Sequence, residues 1–381
     1  MFGHPFGIGP TVTTYNRGAE LATHLTRVLF GVLCIHFYDD ALILGFNFEK
    51  GWGQYCYRCM QEMLGTKLDP GKSQPMSTTT AYIGVVFNMK LVLPDGIVGV
   101  EPKPGRIQGI LDDTGSATSD NRLCRGRASE LMGKLGFLGT HCMGNLLRGI
   151  VGPLALRAHD KHATALNNDL QHALKFAVYL LENFPEKKMN FGQKKKDILH
   201  YWSDAMWEPP LPAGMGIFLY KRGMRPSCAR AVVPKYILTQ LKQRQQMIGQ
   251  TEALACLLGP NSFPDLFRDA DVMHYIDSTS ALAGIIKGGS GVGDSNAIFQ
   301  MHAIMIAKLR CKYWSEFVES NANLGDEPSR DQEQSCPIAE SLGALITTCE
   351  LPQMTNIFEA WFTDAQDLFA EHTRRIAHTH H

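Results

Sequence analysis

The sequence predicts a mixed α+β and α/β chain of several domains, and three observations carry that reading. At 381 residues the chain has room for two or three domains of roughly 150 residues each. Short apolar runs broken by Gly and Pro fill the first hundred residues. Helical periodicity follows, and from about residue 196 strand-like and helix-like segments alternate, as in an α/β domain. Hydrophobic content of 44% with 9% aromatics excludes a wholly disordered or fibrous chain. The longest purely apolar run, Val28 to Ile35, is far short of the roughly 20 residues of a membrane-spanning helix, so no membrane partner is expected. The opening Met1-Phe2-Gly3-His4-Pro5 lacks the basic and apolar regions of a signal peptide. Ten cysteines without regular spacing fit a reducing compartment better than a disulfide framework. An intracellular protein, in cytoplasm or nucleus, is the expectation.

Net charge is zero, 37 Lys+Arg against 37 Asp+Glu, which by itself argues against a nucleic-acid partner. The balance is a cancellation. Arg122 to Arg157 holds six Lys/Arg and one acid, Glu130; Lys221 to Arg244 holds seven and none. Asp326 to Glu371 holds ten acids against Arg330 alone. Charge blocks of this kind are often only solvated faces. Phosphate attraction depends on local potential, however, so two basic stretches keep a polyanion partner in play.

Four segments emerge. Residues 1–105 read as strands and two helices, ending in Glu101-Pro102-Lys103-Pro104-Gly105. Residues 106–195 are helical, with apolar spacing over Ala128–Leu138 and Leu166–Leu181, and close in a polar run, Pro185 to Lys196, expected as a linker. Residues 196–345 form the α/β segment. Residues 346–381 are an acidic tail with one amphipathic stretch, Ile357 to Phe369.

The first segment's most informative feature is Gly31-Val32-Leu33-Cys34-Ile35-His36-Phe37-Tyr38-Asp39-Asp40-Ala41-Leu42-Ile43-Leu44. Two apolar runs flank an acid pair, as in a β-hairpin with both acids near its tip. Adjacent carboxylates between buried strands need a cation, and hard oxygen ligands suit Mg²⁺ or Mn²⁺. Acids also favour turns for their own sake.

The order of segments around that pair resembles the palm of a reverse transcriptase. Phe37-Tyr38-Asp39-Asp40 matches the Tyr/Phe-x-Asp-Asp motif. Pro5-Phe6-Gly7 and Tyr15-Asn16-Arg17 resemble the template- and nucleotide-contacting turn and helix, although the usual Gln-Gly is here Phe6-Gly7. Leu64-Gly65 followed by Lys72-Ser73 resembles the segment whose Lys lies near the incoming triphosphate, and Tyr82-Ile83-Gly84-Val85-Val86-Phe87 the primer-gripping hairpin. The helices from Arg127 to Arg157, with Gly133-Lys134-Leu135, resemble the thumb. The resemblance implies catalytic, metal-binding Asp39 and Asp40, with Gly7, Arg17, Tyr38, Lys72, Gly84 and Lys134 contacting nucleotide or template–primer. Because the chain begins at that turn, the fingers and the first metal-binding Asp are missing, so a truncated palm unable to polymerise is expected.

In the α/β segment four acids occupy distinct settings. Asp204 ends a strand-like run, His200 to Ala205, and Asp277 follows the strand Val272 to Ile276. Glu252 lies in the largely apolar helix Ile248 to Leu258, and Asp326 in a turn opening a short helix. An acid just after an apolar strand projects where loops and ligands meet. An acid on the apolar side of a helix is costly to bury unless paired or metal-bound. The alternatives are helix caps at Asp277 and Asp326, and a solvent-facing Glu252.

This segment resembles the RNase H domain of retrotransposon polyproteins, of DIRS-like or dinoflagellate type. That family orders its acids Asp, Glu, Asp, Asp, as Asp204, Glu252, Asp277 and Asp326 do. Gly214 to Tyr220 fits the second strand, and Ile276-Asp277-Ser278-Thr279-Ser280-Ala281-Leu282 with Asp326-Glu327-Pro328-Ser329-Arg330 are the closest matches. The resemblance implies an RNase H-like mixed sheet with flanking helices. It also implies two Mg²⁺ (or Mn²⁺) ions on Asp204, Glu252, Asp277 and Asp326, with an RNA–DNA hybrid as substrate. Unlike the bacterial-type enzymes, the chain has no His just ahead of Asp326. The alternative is a non-catalytic nucleic-acid-binding remnant of a retroelement. Cys56-Tyr57-Arg58-Cys59 lacks a second pair at zinc spacing, Gly288 to Gly293 lacks a phosphate-loop ending, and His378, His380 and His381 lie at a terminus.

Overall fold

A computed structural model describes residues 9–183, 187–191, 197–291, 293–330 and 335–351. They group into two compact units: residues up to 104 together with the 187–191 segment, and the remainder. The amphipathic stretch from Ile357 and the terminal histidines lie outside the described residues.

The first unit begins with α1 (Gly9–Phe30), which stops where Gly31 turns left-handed at φ +66°. Strands β1 (Leu33–Phe37) and β2 (Asp40–Leu44) form a two-stranded antiparallel hairpin. Phe37 pairs with Asp40, leaving Tyr38 and Asp39 as a two-residue turn with Tyr38 at φ +53°. Helix α2 (Trp52–Met63) buries Cys56, Tyr57 and Met60, the i, i+1, i+4 face of its sequence, and Cys56 and Tyr57 form a small core with Val32 and Cys34.

A second sheet follows. Strands β3 (Thr79–Tyr82) and β4 (Val85–Asn88) are joined by Ile83 and Gly84, both at positive φ, as a type I′ hairpin turn requires. A helical turn, α3 (Val92–Asp95), leads to β5 (Ile97–Pro102), antiparallel to β4. The polar run expected as a linker contains β6 (Lys187–Asn190), which pairs with β5 from Ile97↔Asn190 to Val100↔Lys187. The open edge of β5 supplies the hydrogen bonds that the segment's low strand propensity does not predict.

The second unit opens with four helices, α4 (Arg106–Ser119), α5 (Arg125–Leu138), α6 (Arg148–His159) and α7 (Asn168–Asn183). Leu131, Leu135, Leu138, Ile150, Leu154, Leu174 and Phe176 are buried among them. Strands β7 (Leu199–Met206), β8 (Gly214–Tyr220) and β9 (Ser227–Val232) then form an antiparallel meander. After α8 (Lys235–Gln240), the buried helix α9 (Ile248–Ser262) and the short α10 (Pro264–Phe267), β10 (Asp271–Ile276) adds parallel to β7. Helices α11 (Thr279–Lys287) and α12 (Gly293–Leu309) precede β11 (Lys312–Phe317), parallel to β10. Two short helices, α13 (Asp326–Arg330) and α14 (Pro337–Ser341), lead to β12 (Leu345–Thr348), parallel to β9.

The result is a six-stranded mixed sheet, order β11-β10-β7-β8-β9-β12, with flanking helices. It is the mixed α/β architecture expected for this segment. Its core joins Tyr201, Met215 and Ile217 to Leu254, Leu257, Leu258 and Ile298. Helical and sheet segments share the unit: Asn145 donates to the Ile285 carbonyl (3.2 Å) and Asn296 to that of Gly149 (3.2 Å). No described helix is long and apolar enough to cross a membrane.

Candidate functional site

Strand alternation and one helix bring three of the four expected acids together. Asp204 projects from β7, Glu252 from the first turns of α9, and Asp277 follows the last residue of β10, which neighbours β7 in the sheet. Each offers a carboxylate oxygen within 4.8 Å of the others, and this is the only such group of three or more potential ligands among the described residues. Asp204 is 5% exposed and Glu252 8%, so Glu252 does not face solvent. The cap of α11 is Ser278, whose hydroxyl accepts from the Ala281 N–H at 3.4 Å, which leaves Asp277 free of that role.

Burial first, then the charges of its neighbours, pushes the Glu252 carboxyl up to about 9. Burial also pushes Asp204 up to about 7, opposed by a 2.6 Å hydrogen bond from the Ser329 hydroxyl and by the Arg330 charge. Asp277 accepts from Ser320 at 2.8 Å through Oδ2, while its Oδ1 is buried with no hydrogen-bond partner among the described residues. Three oxygen donors, two of them strongly desolvated, with an orphaned carboxylate oxygen between strand ends, fit a hard divalent cation such as Mg²⁺ or Mn²⁺.

Asp326 differs from the four-acid expectation. It lies close enough for its charge to act on Asp204 and Glu252, but it is not in the group of three. Arg330, one helical turn on, takes both its oxygens, with Nε at 3.0 and 2.9 Å and Nη2 at 2.7 Å. A bidentate guanidinium at i+4 satisfies the carboxylate locally.

Sequence reasoning missed the residues that set this geometry. Gly216 sits opposite Asp204 in the ladder, and a Cβ there would meet the Gly325 carbonyl and the Ser329 N–H at 2.3 Å. Its bare backbone lets the start of α13 lie on β8, which brings Ser329 onto Asp204. Asn323 fixes the same turn by donating to the Ser203 carbonyl (3.1 Å) and accepting from the Gly325 N–H (3.1 Å). A glycine inside an apolar strand is the signal that was available. Within the core beside the acids, Ser203 Oγ and His274 Nε2 share a 2.8 Å bond, and His274 Nδ1 and the Tyr313 hydroxyl a 2.7 Å bond. Burial, then His302, holds His274 well below the usual imidazole range.

The hairpin acids are arranged differently. Asp39 and Asp40 are exposed at the tip, not set between buried strands, and belong to no group of three potential ligands. Tyr82 donates to the Asp40 carbonyl at 3.3 Å, and burial together with the Asp39 and Asp40 charges raises the Tyr15 hydroxyl. Arg17 is exposed on α1, Tyr38 and Gly84 occupy hairpin turns, and Lys72 ends a 3-10 turn, Pro70–Lys72. Gly7 lies outside the described residues. Lys134 is held by Asp113 (2.7 Å) and Glu130 (2.6 Å). Part of the basic stretches is internal: buried Arg157 donates to the Leu123 and Ala165 carbonyls, buried Arg230 to Cys336 Sγ, and Arg244 pairs with Asp294 at 2.8 Å.

No family model and no curated protein matches the sequence. Among solved structures, the chain is similar to a foamy viral protease–reverse transcriptase in complex with double-stranded DNA, at 14% identity and a TM-score of 0.35, over 80% of this chain and 49% of that one. It is also similar to a foamy viral protease–reverse transcriptase in complex with an RNA/DNA hybrid, at 14% identity and a TM-score of 0.36, over 87% and 41%. The chain thus spans about half the length, or less, of the structures it matches. Likenesses this distant assign no family, and the function rests on the geometry of the acids.

Proposed function

We propose that the second unit is a metal-dependent nuclease of RNase H type, derived from a retroelement Pol protein, that hydrolyses the RNA strand of RNA–DNA hybrids. The observation that carries the reading is the convergence of Asp204, Glu252 and Asp277, from β7, α9 and the end of β10, with oxygens within 4.8 Å. Asp204, Glu252 and Asp277 would hold Mg²⁺ or Mn²⁺, which would supply an activated water and neutralise charge on the scissile phosphate.

The chain's own residues do the positioning. The Ser329 hydroxyl orients Asp204, Ser320 orients Asp277, and Arg330 holds Asp326 beside the cluster. Without a cation, Glu252 keeps its proton at neutral pH; loading the site displaces it, so affinity rises with pH. The surface cations of Lys221 to Arg244 would track the hybrid's backbone. Polymerisation is not proposed for this chain, since Asp39 and Asp40 have no third acid beside them among the described residues. The Asp326–Arg330 pair favours a second reading, a non-catalytic nucleic-acid-binding protein.

Hybrid cleavage by the purified protein with Mg²⁺, beside Asp204→Asn, separates the two. Cleavage by the parent chain and its loss in the variant are expected. No cleavage by the parent, or equal cleavage by both, leaves the binding reading.

A further inference from the structure

The fold sets a cation beside the acid cluster, on a short helix that is itself anchored. α13 lies on β8 at Gly216, its Pro328 and Ser329 are buried, and the Ser329 hydroxyl donates to Asp204 at 2.6 Å. The next residue is Arg330, so its backbone is held close to the acids. The guanidinium takes both Asp326 oxygens through Nε and Nη2. Nη1 bonds no described residue, and the side chain is 59% exposed. Its charge reaches Asp204 and favours the ionised form there, while Asp204 and Glu208 act back on Arg330. Glu327, next to Asp326, does not compete for it. That carboxylate accepts the Ile338 and Ala339 N–H groups at 3.1 Å.

The pair contributes little to folding. Exposed i, i+4 ion pairs are weak in water, and α13 has only five residues. Its consequence is electrostatic. Asp204, Glu252, Asp277 and Asp326 around one divalent ion would leave the site formally negative, and a phosphate diester is an anion. With Arg330 on it, Asp326 is neutralised without a second ion, and the guanidinium keeps the N–H donors of Nη1. Guanidinium groups bind phosphate oxygens as they bind carboxylates, through a planar fork of donors.

We propose that Arg330 is the second cation of this site: it holds Asp326 in place of a second divalent ion and offers Nη1 to a phosphate oxygen of the strand at the acids. The inference rests on the nuclease reading of the same cluster and names a phosphate-binding residue for it. It has opposite signs for the two ligands. A guanidinium beside the acids repels Mg²⁺ and attracts phosphate. An arginine that only held the helix in place would act on both in one direction, because α13 also brings Ser329 onto Asp204.

Arg330→Gln in the full chain tests it by two binding measurements, neither of which needs turnover. One is Mg²⁺ titration by calorimetry without nucleic acid. The other is anisotropy of a fluorescein-labelled RNA–DNA hybrid in Ca²⁺, whose bound water is far less acidic than that of Mg²⁺. The variant is expected to bind Mg²⁺ about threefold more tightly and the hybrid about tenfold more weakly. The slope of log affinity for the hybrid against log salt is expected to be shallower by about one. Arg330→Lys, which keeps the charge and loses the fork, is expected to keep the slope and lose part of the affinity. A hybrid or Mg²⁺ affinity equal to the parent's, or a fall in both, overturns the proposal even where the parent cleaves hybrid. The crossed result in a chain that cleaves no hybrid keeps Arg330 at the phosphate and removes only the nuclease.

Discussion

Replacing Glu252 with Gln removes the most strongly perturbed carboxyl of the cluster while keeping its shape. Glu252 ionises near its ordinary value of 4.5 when unfolded and at about 9 when folded. A group raised in this way favours folding most below 4.5 and loses that contribution as pH climbs toward 9. The three pH units between 4.5 and 7.5, at about 1.4 kcal/mol each, amount to about 4 kcal/mol against the metal-free parent chain at pH 7.5. Gln does not titrate, so the variant is expected to overtake the parent as pH rises, by a few kcal/mol at pH 7.5. Urea unfolding in EDTA at pH 5, 6, 7.5 and 8.5 measures it. With Mg²⁺ at a hundred times its dissociation constant the parent is expected to regain about 2.7 kcal/mol, and the variant little. Parallel pH profiles for the two chains would falsify the buried, mutually repelling cluster, and with it the physical basis of the metal site.

Gly216→Ala places a methyl 2.3 Å from the Gly325 carbonyl and the Ser329 N–H; a loss of about 3 kcal/mol, read by urea unfolding, and of hybrid cleavage is expected. Ser329→Ala removes the bond that opposes burial at Asp204, so its carboxyl climbs above about 7 and the alkaline rise of the cleavage rate moves to higher pH. An unchanged pH–rate profile would show that Ser329 does not act on Asp204. Ser203→Ala leaves His274 Nε2 without its 2.8 Å partner and is expected to lower stability by about 1–3 kcal/mol, with Mg²⁺ affinity by calorimetry nearly intact.

Features governed by local chemistry were legible in the sequence. Apolar runs around Tyr38 and Asp39 predicted a hairpin, and the hairpin turns on those two residues. The apolar surroundings of Glu252 left a costly buried acid and a solvent-facing one both open, and it is 8% exposed. Features decided by a distant partner were not legible. Lys187–Asn190 is polar, and only the edge of β5 makes it a strand. Arg157 and Arg230 look like surface charge in a basic run, yet both are buried and bonded to groups tens of residues away. The Asp326–Arg330 pair stood at helical spacing and could have been foreseen from the i, i+4 rule. Gly216 could have been read as a point of close approach, but the strand to which α13 is fitted is visible only in the sheet.

The pairing of β6 with β5 has a bearing on synthesis. The last strand of the first unit's sheet leaves the ribosome about 85 residues after the strand it must join. Until then β5 presents an unsatisfied row of amides and carbonyls, the kind of edge that recruits strands from other chains. The helices α4 to α7 are made in that interval, and local helices form quickly. A chain that stops before residue 187 leaves that edge of β5 unpaired, the condition under which strands associate edge to edge.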